Sequence, residues 1–179
     1  MDTLSYVAQS AFPMTWLLVA VVGALIRTRR STSRAQALET WQRWWAAVAL
    51  GCGSLWMTIS FLAIPDTMAT AIGFARTPFE FEIAFANLGL AVMGLRAASP
   101  AASPRERLTI GLAAGMFLWG AIAGHLYQWF AHGDHAPGNT GGVLAYDLLI
   151  PAVVIILARR SGRLTAATNP VTAAVPLGA

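Results

Sequence analysis

Lysine is absent from this chain: its 12 cationic side chains are all arginine. A single cysteine, Cys52, excludes an internal disulfide and a cysteine-built zinc site. Charge of either sign is scarce, 11% of the 179 residues, against about 25% in a soluble domain. That scarcity excludes an ordinary water-solvated surface. The net charge of +4 raises nucleic acid as a partner, but the arginines sit at the ends of apolar runs. Membrane orientation accounts for them, and no nucleic-acid partner is expected. What the chain has instead is apolar length: 56% hydrophobic residues, gathered in runs near membrane-spanning length.

Five runs stand out, at 6–26, 44–64, 79–95, 108–130 and 143–158. The first, "YVAQSAFPMTWLLVAVVGALI", has Asp2 before it and arginines after it. That is the reverse of a signal peptide's charge order, so it reads as a retained span. Arg27, Arg29, Arg30, Arg34 and Arg43 lie between the first two runs, Arg96, Arg105 and Arg107 between the third and fourth, and Arg159, Arg160 and Arg163 after the fifth. Only Arg76 lies in a loop of the other parity. The positive-inside rule then places the N-terminus outside and the C-terminus in the cytoplasm. The expected fold is all-α: one polytopic membrane bundle of five transmembrane helices over 1–163, its main environment the lipid bilayer, with a flexible cytoplasmic tail at 164–179.

Local signals agree. "SPRE" at 103–106 is a capping box with proline at the first helical position. Trp41, Trp44, Trp45 and Trp129 fall where interfacial anchors are expected. Gly111 with Gly115, and Gly120 with Gly124, are each spaced as GxxxG, which allows close helix packing within the bundle or a homodimer.

The polar chemistry gathers in "GHLYQWFAHGDHAPGNTGGVLAYD", which holds all three histidines together with Asp134, Asn139 and Asp147. At 1.5 Å rise per residue, Glu82, His125 and Asp147 reach one depth, about 6–8 Å inside the outer boundary. Ionised groups in hydrocarbon cost about 2.5–3.5 kcal/mol each, so these three should meet one another or a wet cavity. Glu82 is taken as the interior group of the third span and Glu80 as interfacial. Asn87 suits interhelical hydrogen bonding, and Gln128 shares the helical face of His125. Pro151 leaves the carbonyl of Asp147 without its helical donor.

Several chemistries fit this set. His125, Glu82 and Asp147 suit a metal, with His132 and His135 as further donors, although no HExxH or ExxH pattern occurs. A proton relay, a small-ligand pocket, or simple pairing that locks three helices are the other readings. One intramembrane histidine argues against bis-histidine haem. Ser54, Thr58 and Ser60 have no base at helical spacing, and the residues specify no cofactor.

Two stretches carry a resemblance: "PFEFEIAFANLGLAVMGL" at 78–95, and "GHLYQ" followed by "APGNTGGVLAYDLLIPAVVIIL" at 136–157. They resemble a family of small bacterial inner-membrane proteins that bears a domain-of-unknown-function label. The resemblance implies a multi-pass inner-membrane protein and marks Glu82, Asn87, His125, Gln128, Asn139 and Asp147 as recurrent polar positions. It implies no activity, and the "HGDH" loop departs from it. The expectation is an accessory membrane protein with a polar pocket in the outer half of the bilayer, handling a small ligand or ion. The alternative is an oxidoreductase-type or metal-binding protein that uses the intramembrane Glu, His and Asp.

Overall fold

The computed structural model describes residues 3–168, and within them the chain is all-helical. Four helices are long and apolar enough to cross a membrane: Arg34–Ala63, Phe79–Ala98, Pro104–His132 and Pro137–Leu164. The first apolar run makes a fifth only as a bent pair, α1 (Thr3–Ala11) and α2 (Met14–Thr28), which meet at 51°. Pro13 sits at the break, where its missing N–H ends one helix and its fixed φ starts the next. The span expected at 6–26 is thus two helices joined at a 51° bend.

The second span begins well before the expected 44. Ser33 caps α3 (Arg34–Trp44) by accepting from the Gln36 N–H at 3.2 Å. Leu38 and Trp41 pack against the core, so the linker read from its arginines is an amphipathic extension of the span. The helix then passes through a π-helical stretch, Trp45–Cys52, into α4 (Gly53–Ala63). Such widened turns shift the register of the faces on either side and often lie at functional sites. Trp45 is a correction: it is no interfacial anchor but a buried core residue whose indole N–H donates to the Ile150 carbonyl at 3.2 Å.

The chain continues through α5 (Pro65–Ile72), α6 (Phe79–Ala98), α7 (Pro104–His132), the one-turn α8 (Pro137–Thr140) and α9 (Gly142–Thr168). The last helix runs past 164, and the rest of the expected tail, 169–179, lies outside the described residues. The spanning helices alternate in direction. Their arginine-bearing ends therefore gather at one end of the bundle, and α1, α5 and α8 cover the other.

Packing relies on small side chains, as it must where lipid supplies no hydrophobic drive between helices. Ala20, Ala46, Ala49, Ala97 and Ala114 are fully buried among Leu50, Ile150 and Val154. Gly94 of α6 lies against the backbone of Gly51 in the π stretch, where a β-carbon would collide with main-chain atoms. Gly111 and Gly115 face Val154, Ile155 and Pro151 of α9. Of the two roles expected for this pair, the structure shows packing within the bundle. Gly120 and Gly124 are exposed.

At the arginine end, Arg107 is 2% exposed and ties three elements together. Its guanidinium donates to the carbonyls of Ala97 at 3.0 Å and Ser99 at 2.9 Å, at the C-terminus of α6, and reaches Glu39 of α3 at 2.7 Å. Arg43 donates to the Ala98 carbonyl at 2.9 Å. These arginines satisfy the orphan carbonyls of a helix end, so Arg107 does more than mark topology.

Candidate functional site

The site lies at the end opposite the arginines and starts from how α7 stops. Gly133, at φ 65°, takes the left-handed turn that ends the helix. The Gly133 N–H then reaches the Trp129 carbonyl at 3.1 Å, and the Asp134 N–H reaches that of Gln128 at 3.2 Å. Asp134 next accepts from the Ala136 N–H at 2.9 Å, and Pro137 opens the one turn of α8 that carries Asn139 inward. Asn139 is completely buried.

Asn139 fixes His125. Its Nδ2 donates to the Asp134 carbonyl at 2.9 Å, which turns Oδ1 toward the imidazole Nδ1, 2.7 Å away. Nδ1 must then be the donor, and in the neutral ring Nε2 carries the lone pair. That lone pair faces the Asp147 carboxylate, with Nε2 and Oδ2 3.8 Å apart. Asp147 is only 5% exposed, and no hydrogen bond from any described residue reaches its carboxylate. With the imidazole neutral and the carboxylate ionised, two acceptors face each other, and a single proton on either would join them.

These groups border a cavity of about 700 Å³. Its polar side carries Glu80, Asn87, His125, Tyr146 and Asp147; its apolar body is largely aromatic, with Phe12, Trp16, Trp56, Phe61 and Phe117. The bent N-terminal pair closes part of it, since Phe12, Pro13 and Trp16 all line it. Tyr6 of α1 holds that cover in place, its hydroxyl donating to the His135 carbonyl at 3.1 Å.

Several expected residues stand elsewhere. Glu82 is exposed, while Glu80 is buried, its two carboxylate oxygens each 3.1 Å from the Thr77 N–H. The expected choice between the two glutamates is reversed. One local signal was present in the sequence: "TPFE" at 77–80 resembles the capping-box pattern of "SPRE", and the Glu80 carboxylate folds back onto the Thr77 N–H; the packing of the neighbouring helices decides the rest. Asn87 is buried and lines the cavity, with Nδ2 on the Ile83 carbonyl of its own helix at 3.0 Å. Gln128 is half-buried and its side chain is not among the groups that border the cavity.

The metal set is not assembled. His132 and His135 are exposed, each with its ring against an aromatic neighbour, Tyr127 at 5.3 Å and Trp129 at 5.5 Å. With Glu82 turned outward, His125 and Asp147 keep no third ligand, and no metal-holding group of three or more His, Cys, Asp or Glu occurs among the described residues.

Tyr146 escaped sequence reasoning. It is buried, and its hydroxyl donates to the Ala49 carbonyl in the π stretch at 2.9 Å. An aromatic residue within an apolar run gives no periodic signal, and the widened turn that receives it has no sequence signature.

No curated protein and no solved structure is significantly similar to this chain. The model of one family matches residues 10–167, from within the first helix to nearly the end of the last, and so takes in the whole site. The chain belongs to DUF6790, a family of unknown function.

Proposed function

We propose that this membrane protein is a non-enzymatic binding protein for a small amphipathic molecule drawn from the bilayer. The ligand's apolar body lies among the aromatic rings and its head meets His125 and Asp147. The observation that carries this reading is Asp147: a buried carboxylate that borders a 700 Å³ cavity and meets His125 Nε2 only at 3.8 Å, beyond hydrogen-bond distance. A buried carboxylate that makes no hydrogen bond within the protein is costly, and a ligand head that supplies a donor lowers that cost. The cavity's size and its few convergent polar groups are those of small-molecule sites.

The clustering of the arginines supports an orientation with that end in the cytoplasm and the cavity toward the outer face of a bacterial inner membrane. Of the four glycines considered for a homodimer, Gly120 and Gly124 meet no neighbouring side chain, and Gly124 also borders the cavity.

The test is saturable binding of a solvatochromic apolar dye to the protein in nanodiscs, beside Ala121→Trp, which fills the cavity from α7. One dye per chain, lost in the filled variant at unchanged helicity, is the expected result. Non-saturable partitioning that is identical in both proteins would refute the reading.

A further inference from the structure

The chemistry of the cavity selects among amphipathic ligands, and three observations act together. First, its lining is one-signed. Glu80 and Asp147 both border it, and no arginine borders it among the described residues. The one arginine of this end, Arg76, lines a smaller adjoining recess and is held by Asp66 at 2.8 and 3.0 Å. An anionic head would therefore meet two carboxylates and no counter-charge.

Second, the polar end offers acceptors. The His125 Nδ1–H is spent on Asn139, and the Tyr146 hydroxyl on the Ala49 carbonyl. What remains pointed at each other are the His125 Nε2 lone pair and the Asp147 Oδ2, 3.8 Å apart. A donor atom about 2.8 Å from each completes a triangle on that base, an ordinary hydrogen-bond geometry. A hydroxyl has one proton to give and can satisfy one of the two. An ammonium has several and satisfies both. Third, the rest of the wall carries the aromatic side chains of Trp16, Trp56 and Phe61, which favour a cation with an apolar body.

We infer that the cavity takes a lipophilic amine, with its ammonium nitrogen bridging the Asp147 carboxylate and the His125 Nε2 and its hydrocarbon or aromatic portion among the rings of α2, α4 and α7. The inference rests on the cavity reading above and names its ligand class. Asp147 supplies the charge. Asn139 acts at one remove, holding the imidazole in the tautomer that accepts.

Three twelve-carbon probes separate the possibilities: dodecylamine, dodecanol and dodecanoate, each mixed in equal load with the protein in dodecyl maltoside and counted as adducts by native mass spectrometry. The amine should be retained about tenfold or more over the acid, the scale of one charge-assisted hydrogen bond, and Asp147→Asn should abolish the preference at an unchanged melting temperature. Ala121→Trp should remove the adduct altogether. Equal retention of all three probes, lost in Ala121→Trp, would overturn the amine inference and leave the cavity reading standing. Adducts that survive in Ala121→Trp, or no adducts at all, would overturn both.

Discussion

Arg107 offers the sharpest quantitative test, because its cost can be worked out bond by bond. Replacing it by methionine keeps an apolar stem of similar reach and removes the guanidinium. Two charge-assisted hydrogen bonds to the Ala97 and Ser99 carbonyls are lost, each worth roughly 1.5–3 kcal/mol. The ion pair with Glu39 adds little, about 1 kcal/mol at most, because the Glu39 side chain is 37% exposed and solvent screens it. Glu39 can also rehydrate once its partner is gone, whereas the two carbonyls at the buried helix end cannot do so as freely. The expected loss is about 3–7 kcal/mol, overlapping the range of about 3–5 kcal/mol typical of breaking a buried charged network from one side. Reversible unfolding in mixed micelles, titrated with denaturing detergent and followed by tryptophan fluorescence, measures it. Glu39→Gln, measured alongside, should cost about 1 kcal/mol or less. If Arg107→Met unfolds within about 1 kcal/mol of the parent, or if Glu39→Gln costs as much as Arg107→Met, the assignment of Arg107 as the clamp on the end of α6 is wrong.

Other sites give further tests. Asn139→Ala removes the acceptor that holds the His125 proton on Nδ1, so the ring should turn over to the Nε2–H tautomer facing Asp147; nitrogen-15 NMR of labelled histidine reads this directly, and an unchanged spectrum would count against the tautomer assignment. Gly94→Ala drives a β-carbon into the backbone of Gly51 and should destabilise the protein by roughly 1–3 kcal/mol, whereas Gly89→Ala, which meets open space on the same helix, should be neutral or slightly favourable. Gln42 buries both amide atoms without a partner among the described residues, so Gln42→Leu should raise stability by about 1–2 kcal/mol; a loss of stability instead would show that the amide is bonded.

Helix class, four of the five expected spans and the gathering of arginines at one end followed from the sequence, because a bilayer demands apolar segments of set length and puts charge at their ends. Single depths were legible too: His125 and Asp147 were placed at one level by counting residues, and they stand 3.8 Å apart. Facing was not legible in the same way. Glu80 and Glu82 are two residues apart on one helix, and which of them turns inward is decided by a local cap and by the helix packed alongside, not by hydropathy. The 51° bend at Pro13 and the π turns at Trp45–Cys52 bring Phe12 and Tyr146 to one cavity, and the inward turn of α8 sets Asn139 behind its His125. Each depends on where separate segments meet in space. A one-dimensional pattern records how far a side chain lies along its own helix, and only the assembled bundle fixes the angle at which it faces the others.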